Sequence, residues 1–536
     1  MSTKEKRVLV IGLDCLSPRL VFDRWLDHLP TIKRLLQNGM YGPLRSCIPP
    51  ITVPAWACMT TGKDPGALGI YGFRNRLDHS YDGLTMVNSF SVKEERLWDI
   101  LSRMGKQVIV VGVPQTYPPQ PVNGLLITCI LTPDSSCQYT YPPELKGEVE
   151  KLVGTYVFDV DNFRTENKEL LLKQIYEMTG KRFRVAKHLL SRKPWDFFMM
   201  VEIGPDRMHH GFWKFFDAGH RKHEPGSPYA HAVLDYYKYL DRELGGLLAL
   251  TDSSTVTFIV SDHGAQAMEG GVCINEWLLQ EGYLTLLEKP PGIVSLAKAK
   301  IDWSRTICWG EGGYYSRIFF NLKGREPRGV VLPQNYEETR SEIARKLEAM
   351  RDEKGNPLGT RVFKPEDIYP AARGIPPELI VYFGDLRWRS VGSIGHGTIL
   401  TFDNDIGPDD ANHAQEGICI IHDPRTGAHM PASFRQDMDI LDIAPTVLGL
   451  LNFNYTTKFF GKDILKMQPE QERAFIGTYQ KLGYIKSDLL TVLDVKKRKE
   501  LYQFDRANGD MEAHAPDENL INEAISYYQG ENYLFE

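Results

Sequence analysis

Among the many Asp and His side chains of this 536-residue chain, six stand at or beside the ends of apolar runs and could together hold divalent metals. They fall in four places: Asp14, the pair Asp206 and His210, the adjacent Asp262 and His263, and His413. Three carboxylates and three imidazoles form a mixed nitrogen and oxygen donor set suited to zinc, with manganese or iron also accommodated. Six donors suffice for two divalent metal ions with three each, leaving positions open for a substrate oxygen and a nucleophile. Two cations roughly 3.5–4 Å apart stabilise both the attacking and the leaving oxygen of an in-line phosphoryl displacement. Each residue taken alone has a plainer reading. Asp14 after a strand can be a helix cap, Asp206 and His210 at i and i+4 can be a solvated pair, and His413 can be structural. His209 is expected to point elsewhere. Asp262 and His263 are the hardest to dismiss, because titratable residues at a buried strand terminus need partners.

A nucleophile candidate lies in PPITVPAWACMTTGK, residues 49–63. Thr52 precedes Pro54, which suits a first helical turn, and AWACMTTG reads as a short helix ended by Gly62. A hydroxyl at a helix N-terminus beside a cation is well placed to attack phosphorus, since free N–H groups and the helix dipole favour the anion. Metal coordination would lower its pKa. Helix grammar alone makes Thr52 an N-cap residue.

The elements that must position these groups are visible as apolar runs: RVLVIGLD, QVIVVGVP, GLLITCIL, WDFFMMVEIG, STVTFIVSDHG, PELIVYFGD and GICIIHDP. Helical patterns such as LPTIKRLLQNGMYG and LLKQIYEMTGKRFRVAKHLLSR lie between many of them. The alternation predicts an α/β fold with a mostly parallel central sheet and helices on both faces. In such sheets ligands bind beyond the carboxyl ends of the strands, and Asp14, Asp206 and the Asp262–His263 pair follow strands there. The texture changes between 286 and 390, where Gly, Pro and aromatics accumulate before a charged helix, NYEETRSEIARKLEAMRDEKG. Residues 1–285 and 391–465 are therefore expected to form the core, 286–390 an inserted cap, and 466–536 a polar extension packed on the core and ending in helical turns. The aromatics Trp303, Trp309, Tyr314 and Tyr315 are expected to be the cap's own small core.

Read in order, the motifs resemble the alkaline phosphatase superfamily, in particular its type I phosphodiesterase/nucleotide pyrophosphatase branch. They are IGLD at 11–14, ITVPAWACMTTGKDPGALGIYGF at 51–73, GPDRMHHG at 204–211, SDHG at 261–264 and His413 before a strand. The resemblance implies an alkaline phosphatase-like core and two metals, usually zinc. Asp206, His210 and His413 would bind one, and Asp14, Asp262, His263 and the Thr52 oxygen the other. Thr52 would attack phosphorus and form a phospho-enzyme that water hydrolyses. Two positions depart from the branch. The Asn three residues after its threonine, which contacts a phosphate oxygen, is Ala55 here, and a later His is Leu68. A backbone N–H, or His396 in SIGHGT, is a candidate replacement for that amide. Cys15 in DCLSPR departs from the sulfatase CxPxR signal by one residue, and that reading is set aside. The segment LYQFDRANGDMEAHAPDENL resembles the C-terminal part of sulfatase-like relatives.

The expected activity is thus phosphoester hydrolysis, a phosphodiesterase before a phosphomonoesterase or phosphomutase, with a silent metal-binding scaffold as the non-enzymatic alternative. The partner is a small phosphate-ester substrate. A net charge of −6 over this length gives no support to a stable nucleic-acid partner. No run approaches the roughly 18 apolar residues of a membrane span, and eight cysteines are scattered singly. A cytoplasmic protein is expected.

Overall fold

The computed structural model describes residues 5–37, 39–425, 438–453, 459–465, 473–477, 481–486, 489–494, 499–504, 511–522 and 524–525. The chain divides into two compact units, Met1–Lys462 and Asp463–Glu536.

The first unit is built on a nine-stranded sheet. From one edge its strands are Met438–Asp439, Met40–Arg45, Glu416–His422, Thr255–Val260, Arg7–Leu13, Phe197–Glu202, Val108–Val111, Gly124–Ile127 and Thr140–Tyr141. The five from Thr255–Val260 to Gly124–Ile127 run parallel. They are the apolar runs noted above, and Arg7–Leu13, Thr255–Val260 and Phe197–Glu202 are buried almost throughout. Strands buried on both faces read as continuous hydrophobic segments, which is the signature of a covered parallel sheet. Leu9, Ile11, Leu13, Phe198 and Met200 pack on one face against the helices Pro30–Gln37, Lys168–Arg192, Gly204–Phe216 and Ala232–Leu248. On the opposite face the helix Thr52–Thr61 brings the Trp56 ring against Gly12.

Three runs differ from the sequence reading. GICIIHDP forms Glu416–His422, which pairs antiparallel with both neighbours. MYG, read as the tail of a helix, begins the strand Met40–Arg45, and the helix stops at Gln37. PELIVYFGD forms Leu379–Tyr382 in a separate antiparallel sheet with Cys308–Glu311, Ser316–Phe320 and Arg361–Phe363. That sheet packs with the helix Tyr336–Glu348 around Trp309, Ile318, Phe320, Ile343 and Leu347. The same cluster takes in Val272, Ile274 and Trp277 from before residue 286, and Ile394 from after 390.

The second unit is a five-stranded antiparallel meander, Arg473–Gly477, Lys481–Lys486, Leu489–Asp494, Lys499–Phe504 and Met511–Ala513. Tyr484, Leu501, Leu520 and Ala524 form its buried cluster. Helical turns follow it at 518–522, while the final YYQGENYLFE and DRANGD at 505–510 lie outside the described residues. Among the described residues no helix is long and apolar enough to cross a membrane.

Candidate metal centre

The strand Arg7–Leu13 delivers Asp14 at its carboxyl end, where Asp14 N donates to Glu202 O of the neighbouring strand at 3.0 Å. Cys15 then turns the chain in the left-handed region, φ 70°, and its N–H donates to Asp262 Oδ1 at 3.2 Å. One backbone turn thereby ties two carboxylates together. Asp262 and His263 bridge from the strand Thr255–Val260 into Gly264–Ala267, whose antiparallel partner is Ala411–Ala414 with Ala265 opposite His413. His413 is thus within a short strand of its own, ahead of Glu416–His422. Asp206 and His210 lie one turn apart on the helix Gly204–Phe216, the spacing that places side chains on one face.

These six residues form two clusters, Asp206, His210 and His413, and Asp14, Asp262 and His263. Within each, one ligand atom per residue lies within 4.8 Å of the others. In the first, His210 Nε2 is 3.2 Å and His413 Nε2 3.7 Å from Asp206 Oδ1. In the second, His263 Nε2 is 3.2 Å from Asp262 Oδ2 and 3.6 Å from Asp14 Oδ1. The clusters adjoin, because the His263 and His413 rings stack at 3.8 Å and 16°. Thr52 Oγ1 lies 3.3 Å from His263 Nε2. Thr52 is the first residue of its helix, with Ile51 in the N-cap position.

The side chains fit divalent cations by their own unmet chemistry. None of the seven residues is more than 3% exposed. Asp14 Oδ1, Asp206 Oδ1, Asp262 Oδ2, His210 Nε2 and His413 Nε2 are buried without a hydrogen-bond partner. Orphaned buried polar atoms are costly, and here five converge on two points. The opposite ring nitrogens are all engaged: His210 Nδ1 with Asp409 Oδ1 at 2.7 Å, His413 Nδ1 with Pro50 O at 2.8 Å, and His263 Nδ1 with Gly264 O at 3.1 Å. An imidazole that donates from Nδ1 presents a lone pair at Nε2, the form a metal takes.

Electrostatics set His210 apart from the other two imidazoles. Burial, with the charges of Asp262 and Asp206, holds the Asp14 carboxyl well above its ordinary range, and burial does the same for Asp262. Burial also opposes ionisation of Asp206, but His210 and Arg207 outweigh it and hold that carboxyl well below its usual range. Burial pushes His263 down to about 4 and His413 well below the usual imidazole value. His210 goes the other way, to about 9, because Asp409 and Asp206 overcome its burial.

Sequence reasoning missed the groups that hold the cluster residues in place. Trp56 Nε1 donates to Asp14 Oδ2 at 2.8 Å, and Arg207 Nη1 to Asp206 Oδ2 at 2.6 Å. Asp409 orients His210 from 199 residues away. The only hint lay in the carboxylates of PDDANH just before His413. His209, as expected, turns away and bonds Tyr237 at 2.9 Å. His396 bonds Ser393, and its backbone bonds Glu276, neither of them a cluster residue. Ala55 and Leu68 are buried apolar positions. Trp303 and Trp309 pack with each other and with Tyr81, which lies outside 286–390, and Tyr315 packs in a second small cluster. Tyr314 instead lies over the imidazoles of His413 and His210.

A family model described as type I phosphodiesterase / nucleotide pyrophosphatase matches residues 8–413. No curated protein sequence matches the chain. Among solved structures, phosphonoacetate hydrolase from Sinorhizobium meliloti 1021 in complex with phosphonoformate is 15% identical, with a TM-score of 0.51, covering 83% of this chain and 96% of that one. Human ectonucleotide pyrophosphatase / phosphodiesterase 5 is 13% identical, with a TM-score of 0.47 and coverage of 85% and 97%.

Proposed function

Because the chain belongs to the type I phosphodiesterase/nucleotide pyrophosphatase family of the alkaline phosphatase superfamily, and is thereby a hydrolase of phosphoric esters, we propose that it cleaves phosphodiesters through a phospho-threonine on Thr52. The observation that carries this reading is the position of Thr52 Oγ1, at a helix N-terminus and 3.3 Å from His263 Nε2, beside five orphaned ligand atoms.

Asp206, His210 and His413 would hold one cation, and Asp14, Asp262 and His263 the other, which Thr52 adjoins. When bound, two divalent ions, zinc by the donor set, would offset the phosphoryl charge and favour ionisation of the Thr52 hydroxyl. Thr52 Oγ then forms a bond to phosphorus as the bond to one ester oxygen breaks, and that oxygen departs as an alcohol. Hydrolysis of the phospho-threonine releases the second product and restores the hydroxyl. The first-turn N–H groups of Thr52 and Val53 have no carbonyl within the helix to receive them. They can donate to phosphoryl oxygens, a role that Ala55 has no side-chain group to fill. Trp56 and Cys15 N–H keep the Asp14 and Asp262 carboxylates aimed at the same point. We read residues 286–390 as a cap over this site and 466–536 as a C-terminal extension.

Thr52→Ala should lower turnover of bis(4-nitrophenyl) phosphate by on the order of a thousandfold or more, with metal content still near two per chain. Unchanged turnover would sink the nucleophile assignment. The unaltered enzyme should prefer the bis-aryl to the mono-aryl ester, and a strong monoester preference would overturn the diesterase reading.

A further inference from the structure

Tyr314 sits in the turn between the strands Cys308–Glu311 and Ser316–Phe320, far in sequence from every cluster residue. Its ring stacks on His413 at 4.2 Å and 29°, and on His210 at 4.9 Å and 19°. His263 also stacks on His413, at 3.8 Å. Two rings at such distances cannot share one face, so the His413 imidazole is held between His263 and Tyr314.

Tyr314 is anchored at its ring hydroxyl and at its main-chain carbonyl. Arg164 Nη2 donates to Tyr314 Oη at 2.6 Å, and Arg164 Nε donates to Asp409 Oδ2 at 3.0 Å. Asp409 Oδ1 in turn holds His210 Nδ1. Asn412 Nδ2 donates to Tyr314 O at 3.0 Å, while Asn412 Oδ1 accepts from His413 N at 2.8 Å. The contacts therefore return to both cluster histidines, to the His210 imidazole through Asp409 and to the His413 backbone through Asn412.

An imidazole that must aim Nε2 at a cation can drift by rotating about Cβ–Cγ or by tilting out of plane. The Nδ1 hydrogen bonds to Asp409 and Pro50 limit the rotation; only a ring stacked on the face limits the tilt. We propose that Tyr314 is a positioning residue for the metal at Asp206, His210 and His413, so that ion retention there depends on the segment carrying Tyr314. This inference rests on the metal-binding reading above.

The test uses the full-length, zinc-loaded protein and reads metal release to a chromophoric chelator. Tyr314→Ala should lose one of two ions about tenfold or more faster or at correspondingly lower chelator, with the second ion unchanged. Tyr314→Phe keeps the ring and should release both ions within about threefold of the unaltered protein. Cobalt substitution supplies a second readout, since the visible spectrum should change in the alanine variant and not in the phenylalanine one. Identical release by Tyr314→Ala and the unaltered protein would overturn the proposal, as would equal losses in the Ala and Phe variants. Should Tyr314→Ala not fold, Tyr314→Leu fills most of the space without a ring and is read by the same criteria. An unaltered protein that binds no metal would instead defeat the metal-binding reading itself.

Discussion

The imidazoles of His210, His263 and His413 share one arrangement, with Nδ1 committed to an acceptor and Nε2 facing a neighbouring carboxylate. Two of the acceptors are backbone carbonyls; His210 alone uses a side chain, Asp409. Asp409→Asn removes the charge that supports that imidazole and unpairs Arg164. The variant should weaken one of the two proposed metal sites by roughly tenfold, measured by chelator competition, with the other unaffected. A variant that holds both ions as tightly as the parent would show Asp409 to be dispensable. Of the residues at this centre, the metal-type ligands were legible in the sequence because their side-chain chemistry is unusual at strand ends. Asp409, Trp56, Arg164 and Tyr314 were not. An Asp before a His, or a Tyr after two glycines, carries no mark of a partner hundreds of residues away.

At the scale of elements, Gly12 and Trp56 couple the first strand to the helix that bears Thr52. A Cβ at Gly12 would overlap the Trp56 ring and lie 2.8 Å from Val201, and Trp56 is the donor that fixes Asp14. Gly12→Ala should therefore cost about 1–3 kcal/mol in urea unfolding and lower turnover by moving the indole off Asp14. Wild-type stability and turnover together would show that the indole adjusts freely. The parallel strands were readable as apolar runs, but strand direction was not. A run buried on both faces looks the same whichever way it pairs. Glu416–His422 therefore turned out antiparallel, and Leu379–Tyr382 belongs to another sheet. The meander in Asp463–Glu536 escaped notice because short segments such as KLGYIK, with a glycine and two lysines, lack a strand's apolar pattern.

For the whole molecule, the family match over residues 8–413 spans every cluster residue and Thr52, and all of them fall in the unit Met1–Lys462. The nine-stranded sheet gathers groups up to 399 positions apart, from Asp14 to His413, into an enclosed site. That enclosure concentrates electrostatic effects, since charge acts more strongly away from water. It also accounts for what a linear reading conveyed best, the α/β class and the ordered set of motifs, and for what it could not convey, side-chain contacts between distant segments such as Asp409 with His210 and Tyr314 with His413. In the proposed reaction Thr52 carries the phosphoryl group covalently between the two half-reactions. Acid quenching during turnover of a 32P-labelled phosphodiester, followed by peptide mapping, tests it most directly. Label should appear on the peptide containing Thr52 and be absent from Thr52→Ala. Full turnover with no labelled protein at any time, or label on another residue, would contradict it.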